Sequence, residues 1–211
     1  MSNDLLVIVS GAATTALALA FGVPQWMHVR RTGSIAGVSL PSITNTLIST
    51  TAWLVYGLHL RDFWVTATSV AGLPALLATF VAVVRRSDTR TGMWLPLTWA
   101  GILTATAAST PWLPALFPAV LGASVLWYVT PAAITAWRSP DVSGIAHGTW
   151  LLLALDGLVA GAYGVVAGVT AYLVYAAVAA LGAVVVLARV WWRWTPECGR
   201  CAPVTGCLCP A

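Results

Sequence analysis

Seven apolar runs, near residues 5–27, 40–58, 63–84, 93–108, 113–137, 145–167 and 169–192, account for most of the chain, and the short breaks between them hold almost all of its charges. About 20 residues of helix cross the ~30 Å hydrocarbon layer of a bilayer. In that solvent every backbone polar group must be paired internally, so only helices and closed barrels span it. A barrel would show shorter segments that alternate apolar and polar residues. Stretches such as 151–155 and 181–187 do not alternate. The expected fold is therefore an all-α membrane protein with seven transmembrane helices. The fourth run is the shortest and carries Pro96.

Composition excludes the soluble alternatives. Of the 211 residues, 59% are hydrophobic and 8% are charged, with a mean hydropathy of +0.87. Soluble domains are about 25% charged, so a soluble enzyme, a nucleic-acid binder and a disordered chain are all disfavoured. The net charge of +4 comes from ten Arg placed singly or in pairs between apolar runs. No basic run is long enough to track a phosphate backbone. The first run has no basic leader, since Asp4 is the only charge before Arg30. It is also longer than the apolar core of a signal peptide, and it reads as a retained first helix.

The Arg residues also orient the chain, because cytoplasmic loops are enriched in positive charge. With seven alternating helices, Arg30, Arg31, Arg85, Arg86, Arg90, Arg138, Arg189, Arg193 and Arg200 fall on one side and only Arg61 on the other. The expected location is the cell membrane, with the N-terminus outside and the C-terminus cytoplasmic. Trp26, Trp64, Trp94, Trp112, Trp137, Trp191 and Trp192 stand near the run ends, as interfacial anchors do.

The chain repeats itself at an offset of 107 residues without a gap. Pro24 then meets Pro131, Arg31 meets Arg138, Gly37 meets Gly144, Tyr56–Gly57 meets Tyr163–Gly164, and Arg86 meets Arg193. The predicted organisation is a first three-helix repeat over 1–88, a linker helix over 89–110, a second repeat over 111–194 and a Cys-rich tail over 195–211. An odd number of helices per repeat plus one crossing makes the two repeats parallel. Repeats of this kind are a signature of transporters, with the solute path at the repeat interface. A duplicated structural bundle without a path is the alternative.

Several residues are candidates for the path. Asp156 is an acid deep inside an apolar run, where a carboxylate costs about 2.5–3.5 kcal/mol even on lenient insertion scales. It reads as a solute acceptor, a proton carrier or a structural hydrogen-bonding group. Helical spacing puts Asp156, Ala160 and Tyr163 on one face. Their repeat mates are Ser49, Trp53 and Tyr56. An aromatic ring beside hydroxyls and a carboxylate suits a sugar ring, although such a stripe also serves bundle packing. Pro24 and Pro131, at matched places, and Pro41 each remove a backbone hydrogen bond and read as hinges or as helix ends. Arg61 and Asp62, near Tyr56, read as an outer latch or as a solvated loop. The scattered His28, His59 and His147 suggest no metal site, and nothing calls for a cofactor. No nucleophile–base constellation or phosphate loop appears, so no enzyme is expected. In the tail, Cys198, Cys201, Cys207 and Cys209 have a spacing that resembles zinc ligation; acylation and a tail without an essential role are the other readings.

Pro24–Gln25, Arg31, Ser34, Gly37, Ser39, Pro41 and Trp53-x-x-Tyr56–Gly57 resemble the first repeat of the SWEET and SemiSWEET sugar transporters of the PQ-loop superfamily. Pro131, Arg138, Gly144 and Tyr163–Gly164 resemble the second. The resemblance implies a three-plus-one-plus-three helix plan. By position, Pro24, Pro41 and Pro131 match three of the family's four hinge prolines, and Gly148 stands at the fourth. Gln25 belongs to the same gate motif. Trp53 matches a pocket tryptophan, with Ala160 at its partner position. The family's pocket asparagines fall near Ser69 and Ala176. An acid near Asp156 is also similar to proton-coupled amino-acid exporters of the PQ-loop group, such as cystinosin-like proteins, about a turn out of register. The expected function is passive, alternating-access transport of a sugar or similar small polar solute. The first rival is a proton-coupled carrier of an amino acid or other small metabolite; the second is a non-transporting scaffold. The expected partners are a small-molecule solute, with sugar favoured, and the lipid bilayer; no nucleic acid is expected, and a homo-oligomer is compatible.

Overall fold

The computed structural model describes residues 2–87 and 92–194. Arg90, Arg200 and the tail with Cys198, Cys201, Cys207 and Cys209 lie outside the described residues. Those residues form nine helices: α1 (Ser2–Phe21), α2 (Val23–Thr32), α3 (Leu40–Leu60), α4 (Phe63–Val84), α5 (Trp94–Ala108), α6 (Leu116–Gly122), α7 (Val125–Arg138), α8 (His147–Ala167) and α9 (Thr170–Trp194). The first expected run is split by a turn at Gly22, two residues before Pro24, whose ring nitrogen cannot continue the helical ladder. The fifth is split at Ala123–Ser124.

Five segments are long and apolar enough to cross a membrane: Asp4–Thr32, Phe63–Val84, Leu116–Arg138, His147–Ala167 and Ala171–Trp192. The α3 helix has 21 residues, about 31 Å at 1.5 Å per residue, but it is too polar to qualify on composition. Three of its polar residues point inward: Ser42, Asn45 and Ser49 are all buried. The 15-residue α5 is shorter than a full crossing. The outer surface is apolar, with Leu5, Ile8, Leu97, Leu158, Val165 and Leu181 each more than half exposed. The interior holds buried Thr14, Gln25, Asn45, Ser49, Ser69, Thr149 and Asp156. This inversion of the soluble pattern is that of a multi-pass membrane protein. Trp94, Trp112, Trp137, Trp191 and Trp192 are exposed on it.

The caps explain where the helices stop. Ser39 accepts the Ser42 N–H at 3.3 Å and Asp62 accepts the Val65 N–H at 3.0 Å, opening α3 and α4. Pro41 sits in the first turn of α3, where a missing N–H costs nothing. The α3 helix ends on Arg61 at φ 55°, and α8 ends on the equivalent Gly168 at φ 73°.

In one group α4 packs between α1–α2 and α3; in the other α9 packs between α6–α7 and α8. The groups meet where α1 and α2 touch α8 and where α3 touches α7, while α5 packs on α3 and α6. Small residues let backbones approach closely. A Cβ at Gly157 would lie 3.2 Å from the Ala176 carbonyl and the Ala179 methyl, and one at Gly161 would lie 3.0 Å from the Ala176 methyl. Ala176 is therefore a packing residue between α8 and α9.

Candidate functional site

Asp156 is 7% exposed on α8. Its Oδ2 accepts a hydrogen bond from the Tyr175 hydroxyl at 2.6 Å, and Oδ1 has no partner. Tyr175 lies on α9, and Tyr128 of α7 stands on the same cavity wall. The carboxylate faces a cavity of about 90 Å³ between the two helix groups. That space holds a few waters at ~30 Å³ each and is smaller than a typical solute pocket. Ser49, Trp53, Thr68, Ser69, Ser124 and Tyr172 also line it. Trp53 stacks on Tyr172 with centroids 5.0 Å apart and meets Tyr175 edge-on at 6.4 Å. Its Nε1 donates to the Ser124 Oγ at 3.4 Å. Ser49 accepts from the Trp99 indole of α5 at 2.9 Å.

Of the residues expected to bind solute, the cavity brings together Trp53, Asp156, Ser49 and Ser69. The other four are used elsewhere. Ala160 is fully buried in the core beside Trp53, and Ala176 packs against α8. Tyr56 packs edge-on against Trp53 at 5.8 Å and Phe117 at 5.9 Å. Tyr163 donates to Asp62 instead of facing solute. Tyr128, Tyr172, Tyr175 and Ser124 join the wall without having been expected. The three-residue spacing of Tyr172 and Tyr175 puts both on one face of α9 and was the signal available for them.

A second cavity of about 80 Å³ lies toward the Arg-rich loops, lined by Gln25, Ser39, Ser42, Thr149 and Trp150 among others. Phe21, Thr46, Leu76 and Tyr128 line both cavities and form the partition between them. The Thr149 Oγ1 is buried without a partner.

Both ends of the interface are tied. At one end the Tyr163 hydroxyl of α8 donates to Asp62 Oδ1 and Oδ2, at 3.1 and 2.9 Å. Asp62 therefore bonds across the groups, not to Arg61, whose left-handed backbone serves as a helix stop. At the other end the Gln25 Nε2 donates to the Gly144 carbonyl at 2.9 Å and its Oε1 accepts the Ala146 N–H at 3.0 Å. The Gly144 N–H donates to the Ala36 carbonyl at 3.0 Å, and a Cβ there would lie 2.6 Å from both the Ala36 nitrogen and its oxygen. His28 bonds to the Ser143 carbonyl.

The prolines divide into two kinds. Pro41 begins a helix, whereas Pro131 lies inside α7. Pro131 cannot donate to the carbonyl four residues back, that of Trp127; the Asn45 Nδ2 of α3 donates to it instead. The Ser42 hydroxyl of α3 donates to the neighbouring Tyr128 carbonyl. Pro74, inside α4, stands next to Ala75, on which the broken point of the first span rests through Gly22.

A cavity that carries hydroxyl groups and one carboxylate thus lies between two helix groups of a membrane protein, and contacts tie those groups to each other at both ends. Residues 6–84, spanning α1 to α4, match the family model described as "Sugar efflux transporter for intercellular exchange". The match bears out the SWEET and SemiSWEET resemblance of Pro24 to Gly57, and the matched family is one of sugar transporters, not of enzymes. No curated protein matches the chain.

Proposed function

We propose that the chain moves a sugar or similar small polar solute by alternating access, as a passive uniporter with seven crossings. The two helix groups act as parallel repeats over 1–88 and 111–194, and 89–110 is the linker. The packing order within each group and the 107-residue offset support this plan. Orientation with the Arg-rich loops in the cytoplasm follows the charge rule.

The observation that carries the reading is the chamber between the groups, tied at one end by Tyr163–Asp62 and at the other by Gln25 with Gly144 and Ala146. Breaking one set while keeping the other opens the chamber to one side only. Trp53, Ser49, Ser69 and Asp156 are the binding residues in this reading; Tyr56, Tyr163 and Asp62 form the outer closure; Gln25 forms the inner one. Pro131 and Pro24 are hinges: the carbonyl that Pro131 leaves without a helical donor is held by Asn45 of the opposite group, so bending α7 and moving α3 are coupled. At about 90 Å³ the chamber is collapsed, and the groups must part to admit a sugar.

The test is uptake of labelled glucose into proteoliposomes. Saturable flux that does not need a pH gradient and is lost in Trp53→Ala supports the proposal. Absence of flux for any solute in a broad screen leaves the scaffold reading.

A further inference from the structure

We propose that the transported solute carries a protonated amine beside its hydroxyls, as an amino sugar or amino polyol does, and that this ammonium seats on the Asp156 carboxylate. The inference rests on the transport reading above and deepens it.

Charge balance is the first support. Among the described residues Asp156 is the sole acid on the wall, and no Arg, Lys or His lines the chamber. The groups that face Asp156 are Tyr128 from α7 and Tyr172 and Tyr175 from α9. The α1, α3 and α4 helices contribute Thr14, Phe21, Thr46, Ser49, Trp53, Thr68 and Ser69. None of them brings a positive charge. Oδ2 is held by Tyr175, while Oδ1 is buried without a hydrogen-bond partner, in a residue that is more than nine-tenths buried and lines the chamber. A buried carboxylate is either neutralised by a proton or paired with a counter-charge, and the described wall supplies no counter-charge.

The hydrogen inventory is the second support. The hydroxyl hydrogens of Thr14, Thr46 and Ser69 go to backbone carbonyls one turn back, at 2.8, 2.9 and 2.9 Å. The hydrogen of Tyr175 goes to Asp156. These four oxygens are left as acceptors, whereas Ser49 and Ser124, which accept from the Trp99 and Trp53 indoles, keep a donor hydrogen each, so the wall offers acceptors for an amine and donors for hydroxyls. An ammonium has three donors and no acceptor. Aromatic surface stands around the same point, with Trp53, Tyr172 and Tyr175 in one mutually packed set, and ring faces attract cations. A free amino acid fits less well, because no cation on the described wall receives its carboxylate.

The experiment compares proteoliposome uptake of labelled glucose with competition by glucosamine and by N-acetylglucosamine, in which the amine is acylated and neutral, at mildly acidic pH. Glucosamine should compete at a concentration on the order of tenfold lower than glucose, the amount one charge-assisted hydrogen bond supplies. N-acetylglucosamine should lose that advantage. In Asp156→Asn the glucosamine-to-glucose ratio should fall to about one, whatever the absolute rate. Equal competition by glucose and glucosamine in the unmodified protein overturns the proposal. So does glucose uptake that needs a proton gradient in the unmodified protein and fails in Asp156→Asn, since a proton then neutralises the carboxylate. If Asp156→Asn does not fold, the N-acetyl comparison decides alone, with Asp156→Glu expected to keep the amine preference. Glucose flux without amine preference sinks only this inference; no flux of either sugar sinks the transport reading as well.

Discussion

Replacing Tyr163 by Phe removes one hydroxyl and leaves the ring in place, so it isolates the tie between the two helix groups at the Arg61–Asp62 end. Tyr163 donates to both Asp62 oxygens, at 3.1 and 2.9 Å. A hydrogen bond to a charged acceptor contributes about 1.5–3 kcal/mol. Asp62 is only half-buried and keeps the Val65 N–H, so the lower end applies, about 1.5 kcal/mol, which is on the order of a tenfold shift between closed and open forms. All four cysteines lie in the tail, at Cys198, Cys201, Cys207 and Cys209. Serine at those positions therefore leaves no thiol, and Thr50→Cys places one on the chamber wall. The assay is the labelling rate of that thiol by a membrane-impermeant reagent, applied to each face of the vesicle in turn. Labelling from the Asp62 face should rise about tenfold in Tyr163→Phe, with little change from the Arg-rich face. An unchanged rate from both faces would refute the role of this bond as a closure.

Four further outcomes follow from particular contacts. Gly144→Ala puts a methyl 2.6 Å from the Ala36 backbone; overpacking of this kind costs about 1–3 kcal/mol, and it should hold the Arg-rich end open, seen as faster thiol labelling from that face and lower flux. Asn45→Leu leaves the Trp127 carbonyl without its donor; a loss of about 1–3 kcal/mol should appear as a lower melting temperature in detergent. Arg61→Gly relieves a non-glycine residue at φ 55° and should stabilise by up to about 1 kcal/mol; its flux should be unchanged, whereas a drop in flux would restore Arg61 to the latch. Gly161→Leu drives a side chain into the Ala176 methyl, which would lie only 3.0 Å from a Cβ at this position; separating α8 from α9 should destabilise by about 1–3 kcal/mol, measured by thermal unfolding.

Much of the architecture was legible in the residues because the bilayer imposes a simple rule. Apolar runs need no partner to declare themselves: the segments 63–84 and 145–167 stand in the structure as α4, with the same bounds, and α8, two residues shorter at its start. Asp156 and Trp53 were legible for a related reason, since an acid or an indole beside hydroxyls is conspicuous against Ala, Val and Leu. The run expected over 40–58 stands as α3, two residues longer at its end, although its composition falls below that of a spanning helix.

The partners of those residues were not legible. Tyr163 lies 101 positions from Asp62, and Gln25 lies 119 and 121 positions from the groups it bonds. Sequence proximity instead suggested Arg61 for Asp62, and helical spacing suggested Ala160 as a wall residue, whereas Ala160 is packed into the core. The chain itself determined which segments live in lipid and which few polar groups must be sheltered there, because transfer energy depends on residue type alone. Only the tertiary structure decided which of those groups face each other across the chamber, because a hydrogen bond depends on two atoms meeting within about 3 Å in a set direction, and helix packing sets that distance.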